Sequence, residues 1–279
     1  MLPSDVDAAT EMILSHEWGV RREWLELATS LPACIPLVAE ADGQIVGTGV
    51  GTASGAAGWI GTIFLAPAWR GQGLGRAITQ AIIERLESAG CRTLVLVATT
   101  DGRRLYERMG FEVQTRYRIL EAPGLPNEAA ELGAVGAAAP AVVRAFATAD
   151  LDALLALDRD GTGEDRSQVI GRLANPGTAR VATSADGMID GFVIRAPWGG
   201  GATVARSADT ALSIVTARRV ASGPTGRVRV GVLAENDAGR ERLHELGFVD
   251  QWSAPRMIRG EPLEWRPEWI WGQFNHAMG

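Results

Sequence analysis

The sequence predicts an α/β fold on a mixed sheet, present twice in tandem, and three observations carry that prediction. Short apolar runs of strand length alternate with helical segments along the whole chain. The stretch Glu121–Ala141 holds Pro123, Pro126 and Pro140 among small residues without periodicity, the composition of a connection rather than an element. On either side of it the same order of elements recurs, and residues recur with it at one constant offset. Gly102-Arg103 falls on Gly239-Arg240, Gly110-Phe111 on Gly247-Phe248, and Arg92 on Arg229. The 279 residues therefore divide into a first domain over 1–120, a linker over 121–140 and a second domain over 141–279.

In the first domain, Val6–Ser15 and Arg22–Thr29 read as helices. Strands follow at Ile35–Glu40 and Ile45–Gly51, joined by the hairpin signal Asp42-Gly43, and at Trp59–Leu65, which Pro67 ends. A helix is expected from about Gly73 to Ala89, because Ile78, Ile82 and Leu86 share one face and Gly90 supplies the stop. Thr93–Ala98 is a strongly apolar strand, Arg103–Met109 a short helix closed by Gly110, and Val113–Leu120 a last strand. The second domain opens on a strand-like Ala141–Ala147, whereas the first begins almost at its helix. Either the first copy lacks that strand or its true start lies upstream. Val228–Leu233 matches Thr93–Ala98, and Gly199–Gly201 reads as a turn between strands.

Composition narrows the function. At 46% hydrophobic and 22% charged residues the chain is too apolar for disorder. All 27 basic residues are arginines, and against 33 acidic ones they leave a net charge of −6, which disfavours nucleic-acid binding by phosphate neutralisation. The absence of lysine, beside abundant Ala and Gly, reads as a GC-rich genome. It also removes a Walker-type phosphate site, a lysine nucleophile and self-acetylation on lysine. Cys34 and Cys91 cannot build a disulfide framework and read as buried small hydrophobes. Asp5, Asp7 and Glu11 stand where a signal peptide would be basic, and no apolar run approaches the ~18 residues of a membrane span. The longest candidate, around Leu132–Val143, is Gly/Ala with a proline. The expectation is a cytoplasmic protein without a metal, a nucleic acid or a membrane as partner, and open between monomer and homodimer.

The chemistry concentrates in Ile63–Arg76. A buried strand stops at Pro67, and Gly71, Gly73 and Gly75 lead through a turn into a helix N-terminus. Glycines there let a ligand approach the backbone and leave N–H groups pointing outward at the positive end of the helix dipole, which suits a pyrophosphate. The spacing G-x-G-x-G is not the dinucleotide fingerprint G-x-G-x-x-G, and a P-loop would need a lysine.

Arg70-x-x-Gly73-x-Gly75 behind an apolar strand and a proline resembles the acyl-CoA motif of the GCN5-related N-acetyltransferase (GNAT) superfamily. Leu105-Tyr106-Glu107-Arg108-Met109-Gly110-Phe111 resembles that superfamily's LYxxxGF segment. The two motifs cover Val38 to about Leu120, and the whole chain resembles tandem bacterial members in which a degenerate GNAT-like domain follows the catalytic one. The resemblance implies an acyl-CoA-dependent N-acetyltransferase with acetyl-CoA as co-substrate. It implies that the backbone of Ile63, Phe64 and Leu65 binds the pantetheine arm as an added strand. It further implies that Arg70 and the N–H groups of Gly71, Gln72, Gly73, Leu74, Gly75 and Arg76 hold the pyrophosphate. The strand Leu94–Ala98 would splay from Ile63–Leu65 to open a V for the thioester, where a neutral amine attacks and the Leu65 N–H stabilises the oxyanion. Tyr106 matches the tyrosine that hydrogen-bonds the departing sulfur and returns its proton. A phenol of pKa ~10 gives a proton to a thiolate of ~8.5 uphill by roughly 2 kcal/mol, so this role depends on positioning. Thr99 and Gly102 stand in the pantetheine-binding segment where many members carry an asparagine, a departure from the pattern.

No carboxylate lies on Trp59–Leu65 to act as general base. His16 and Glu17 face the cleft if the first helices line it, and are ordinary solvated helix residues otherwise. His244 and His276 read as structural residues of the second domain. There, Thr203–Ser213 has no glycine: Ser207 falls under Arg70, Thr210 under Gly73, Leu212 under Gly75 and Leu243 under Tyr106, while Asn236 stands opposite Thr99. This predicts a copy that keeps the fold and does not bind acyl-CoA in the same way. Trp252, Trp265, Trp269 and Trp271 are four of the nine tryptophans and are expected to seal the core between domains. The second domain would cover one side of the acceptor cleft, which favours a small-molecule primary amine. A protein amine, a non-acetyl donor and a non-catalytic acyl-CoA sensor stand as alternatives.

Overall fold

A computed structural model of the chain describes residues 1–15, 21–127 and 141–279. His16 and Glu17, and residues 128–140 of the expected linker 121–140, lie outside the described residues. In the first arm α1 (Val6–Leu14) and α2 (Arg22–Ser30) precede β1 (Cys34–Ala41), β2 (Gln44–Ser54) and β3 (Ala57–Leu65). Then come α3 (Leu74–Ser88), β4 (Thr93–Val97), α4 (Thr100–Glu107) and β5 (Glu112–Pro123). The second arm opens on β6 (Val142–Ala145) and repeats that order with α5 (Leu151–Thr162), α6 (Ser167–Leu173), β7 (Ala179–Thr183), β8 (Ile189–Arg195) and β9 (Gly201–Ala205). It continues with α7 (Ala208–Ser222), β10 (Arg227–Leu233), α8 (Asp237–Glu245) and β11 (Val249–Gly260), and adds a short β12 (Ile270–Gly272). The fold is thus mixed α/β and duplicated.

The element ends move by a few residues from their sequence-based positions because caps set them. Helix α4 starts at Thr100 rather than Arg103, since the Thr99 hydroxyl accepts the Gly102 N–H at 3.1 Å and pulls the first turn into the helix. Both copies then stop α4 and α8 the same way. Gly110 and Gly247 take φ of 84° and 83°, and the next N–H, of Phe111 or Phe248, returns 3.0 Å to the carbonyl of Tyr106 or Leu243. The recurring Gly-Phe pair is therefore one repeated turn.

Two strands of the second arm join the sheet of the first. One sheet runs β1-β2-β3-β4-β11-β5-β10 and the other β12-β9-β8-β7-β6. Strand β11 of the second arm is inserted antiparallel between β4 and β5 of the first, and β5 is paired on its other edge with β10. One core cluster joins α1 and α2 (Trp24, Leu25) to α5 and α6 (Leu154, Ile170) and to Phe274 near the end of the chain. On the opposite face of the first sheet α3 and α4 bury Ile78, Ile82, Tyr106 and Phe111 against Ile60, Leu96 and Met257. Cys34 and Cys91 are free and buried, and burial pushes the Cys34 thiol up to about 11.

Candidate active site

Strand β3 decides where a cleft opens. It pairs parallel with β4 from Ala57↔Thr93 to Ile60↔Leu96, and no described strand pairs with that edge beyond Ile60. On its other edge Val50↔Gly61 is followed by Thr48↔Phe64, so two residues, Thr62 and Ile63, bulge opposite the single Gly49. Thr62 has φ of +53°, strained for a β-branched residue. Two neighbours hold it there: the Trp24 indole donates to its hydroxyl at 2.9 Å, and the Thr48 hydroxyl donates to its carbonyl at 2.9 Å. The bulge bends β3 away from β4 immediately after their last pair, and the sheet splits into a V.

Beyond the bulge, the Ala66 N–H bonds the Val46 carbonyl at 2.9 Å. By strand alternation the N–H and C=O of Leu65 face the other way, into the V. The Arg70 Nε caps that carbonyl at 3.1 Å, and its guanidinium lies 5.9 Å from the Phe64 ring centroid. Phe64 itself is buried in the core shared by the two arms, so it can meet a ligand only through its backbone.

The glycine turn follows. Gly71 and Gly73 take φ of +75° and +86°, and a Cβ on either would meet nothing within 4 Å, so their glycine identity answers to backbone conformation over an open surface. Gly73 is the N-cap of α3 and no side chain caps the helix, which leaves N–H groups of the first turn without an internal partner. Gln72 is turned back to the Ala68 carbonyl at 3.0 Å, and Arg76 is exposed. A Cβ on Gly75 would lie 3.4 Å from Leu65 and 3.8 Å from Leu105, so α3, β3 and α4 converge on this residue. At the far wall Thr99, Gly102 and Tyr106 form one cluster: Thr99 caps α4, and a Cβ on Gly102 would crowd both Thr99 and the Tyr106 ring at 3.1 Å. Tyr106 packs edge-on to Phe111 at 6.1 Å, and burial pushes its phenol up to about 12. Leu65, Arg70 and Gly75 thus lie together where β3 meets α3, and Thr99, Gly102 and Tyr106 form a cluster on α4.

In the second arm the equivalent strands β9 and β10 lie in different sheets, and the free edge of β9 is taken by an added strand. Strand β12 pairs antiparallel with β9, Ile270↔Val204 and Gly272↔Thr203, along the edge left open on β3. The Asn236 Nδ2, at the position equivalent to Thr99, donates to the Glu268 carbonyl at 3.1 Å and anchors the approach to that strand. Helix α7 is self-capped: the Ser207 hydroxyl accepts the Thr210 N–H at 3.1 Å, and Asp209 in its first turn pairs with Arg242 at 3.1 Å.

Sequence comparison agrees with this geometry. The model of the acetyltransferase (GNAT) family matches residues 5–111, and that of an acetyltransferase (GNAT) domain matches residues 154–272. The chain belongs to the GNAT acetyltransferase family. It is a tandem member, with one GNAT domain in each arm. Among solved structures it resembles a Pyrococcus horikoshii protein provisionally assigned as an acetyltransferase, with a TM-score of 0.81 and 20% identity over 100% of this chain and 94% of that one. A GCN5-related N-acetyltransferase from Sphaerobacter thermophilus follows at 0.61 and 16% identity over 95% and 96% of the two chains. One from Kribbella flavida follows at 0.56 and 17% over 93% and 69%. At these identities the likeness is one of fold. No curated protein matches the chain in sequence. As a GNAT protein it is an acyl-CoA-dependent acetyltransferase in general type. Among the described residues no helix is long and apolar enough to cross a membrane, and no group of His, Cys, Asp or Glu is placed to hold a metal.

Sequence reasoning missed Thr62, whose strain comes from partners on α2 and β2 and leaves no local signature. His276, expected to be a structural residue of the second arm, has its backbone carbonyl against Gly61 of β3 in the first.

Proposed function

We propose that the first arm of this GNAT protein transfers an acetyl group from acetyl-CoA to a small-molecule primary amine in a cytoplasmic setting, and that the second arm supports the fold without binding acyl-CoA. The observation that carries this reading is the contrast between two equivalent strand edges. The β3 edge beyond its last pair with β4 is open and its helix N-terminus uncapped, whereas the equivalent β9 edge is covered by β12 and its helix is capped by Ser207.

Pantetheine would add to the β3 edge over Ile63, Phe64 and Leu65, displacing Arg70 from the Leu65 carbonyl toward the phosphates. The N–H groups from Gly71 to Arg76 would hold the pyrophosphate at the positive end of α3. The Leu65 N–H, turned into the cleft, would stabilise the oxyanion as the amine attacks and the C–S bond breaks. Thr99 keeps its hydroxyl proton free to donate while its oxygen caps α4, and Gly102 gives the room for that cap. Tyr106 would donate a hydrogen bond to the departing sulfur. With its phenol at about 12, full transfer to a free thiolate would be uphill by about 5 kcal/mol, so donation during departure is the role its environment favours.

Calorimetry with acetyl-CoA on wild type and Gly73→Asp tests the site. Tight binding to wild type and loss in the variant are expected, because aspartate puts a negative charge at the uncapped N-terminus; equal affinity would refute the assignment. Release of free CoA thiol with a panel of amines then tests the activity. Tight binding with no turnover on any amine would favour the sensor reading.

A further inference from the structure

Gly61 is the first residue of β3 beyond its last pair with β4. A Cβ on it would lie 2.5 Å from the His276 carbonyl oxygen and 2.6 Å from the Ala277 Cβ, so this segment of the second arm lies on the strand where the V opens. Trp59, two residues earlier and on the same side of β3, donates its indole to Glu164 of the second arm. Ile60 points the other way, into the core beneath α3. His276 therefore lies on the face opposite α3, across the sheet from the glycine turn.

From Gly61 the His276 ring reaches toward the strands beyond β4. It stacks on Tyr117 of β5 at 6.0 Å and meets Trp252 of β11 edge-on at 5.4 Å. The residue is partly exposed, and among the described residues its ring nitrogens make no hydrogen bond. Burial, with the charge of Arg21 adding to it, pushes the imidazolium down to about 4, which leaves the ring neutral near pH 7 with a lone pair to offer.

We propose that His276 contacts the acceptor: the incoming primary amine donates a hydrogen bond to the imidazole while its own lone pair faces the thioester carbon in the V of the first arm. The second arm then contributes a substrate contact to a reaction carried out by the first. This inference rests on the reading of the first arm as the acetyl-CoA site.

Diethyl pyrocarbonate modifies neutral, accessible imidazoles, and peptide mass spectrometry follows His276 and His244 separately. Saturating acetyl-CoA, its binding verified by calorimetry, is expected to slow modification of His276 several-fold and to leave His244 unchanged. A ring inert in the free protein, or equally reactive with acetyl-CoA bound, overturns the proposal alone. Failure of acetyl-CoA to bind overturns the reading beneath it as well. His276→Phe keeps the stack and removes the nitrogens; it is expected to raise the KM of an amine substrate about tenfold, the equivalent of one lost hydrogen bond, with acetyl-CoA affinity unchanged. His276→Gln, which retains an accepting oxygen, should recover most of that loss. An unchanged amine KM in His276→Phe would also overturn the proposal.

Discussion

Tyr106 and Thr62 show how differently single residues announce themselves. Tyr106 sits in a local pattern: Thr99 caps α4, Gly102 makes room, and Phe111 closes the turn beneath the ring. All of these lie within one short segment, so the sequence displays them together. Replacing Tyr106 with Phe should lower kcat by on the order of 10- to 1000-fold, measured by thiol release, with acetyl-CoA affinity unchanged by calorimetry. Because the folded phenol titrates at about 12, it is protonated across the neutral range, and the wild-type to variant ratio should stay flat from about pH 6 to pH 9. The same shift carries a stability sign. A pKa raised above its unfolded value of ~10 favours the folded state fully below pH ~10, and that contribution is lost as pH rises through about 12. A ratio that changes steeply near neutrality would assign the proton to another group. Thr62 has no such local display, because the bonds that sustain its positive φ come from Trp24 and Thr48 on other elements.

At the scale of elements, equivalent helices end in opposite ways. Helix α3 begins at a left-handed glycine with no side-chain cap, while α7 begins at a serine whose hydroxyl takes one of its N–H groups. The sequence made that contrast readable, since glycines were present in one copy and absent in the other. An N-cap serine stabilises a helix by about 1 kcal/mol. Ser207→Ala should therefore lower stability by about 1 kcal/mol in denaturant titration and leave acetyl-CoA affinity untouched. A parallel loss of acetyl-CoA binding would mean that the second arm takes part in binding. Strand β12 was not readable in the same way. Three residues carry no period, and their strand character comes from the β9 edge they meet.

For the molecule as a whole, the two strands that the second arm lends to the first arm's sheet join the arms. Strand β5 lies between two strands of the second arm, and Glu121 on it pairs with Arg227 at 2.9 Å and Arg229 at 2.6 Å of β10. Arg256, on β11 and buried, lies 4.3 Å from the Trp265 ring centroid and 5.4 Å from that of Trp59, which joins an arginine and a tryptophan of the second arm to the first. The seven-stranded sheet cannot lose β10 and β11 of the second arm without exposing apolar faces and unpaired backbone. Urea unfolding should give one transition, coincident by far-UV circular dichroism and tryptophan fluorescence. Two resolved transitions would show the arms to be independent. The crowded tryptophans take mixed parts in this arrangement: Trp271 is buried, Trp265 and Trp269 stack with arginines, and Trp252 is 46% exposed beside His276.

The amino-acid order by itself determined the element types, the duplication and the glycine turn, because periodicity, caps and turn residues act within a few positions along the chain. Only the tertiary structure decided that β11 crosses into the first sheet, that β12 takes the β9 edge, and that the segment of His276 lies against β3. Those contacts join segments distant in sequence through strand-edge hydrogen bonds and ring packing, and such pairings leave no period to be read before the chain has folded.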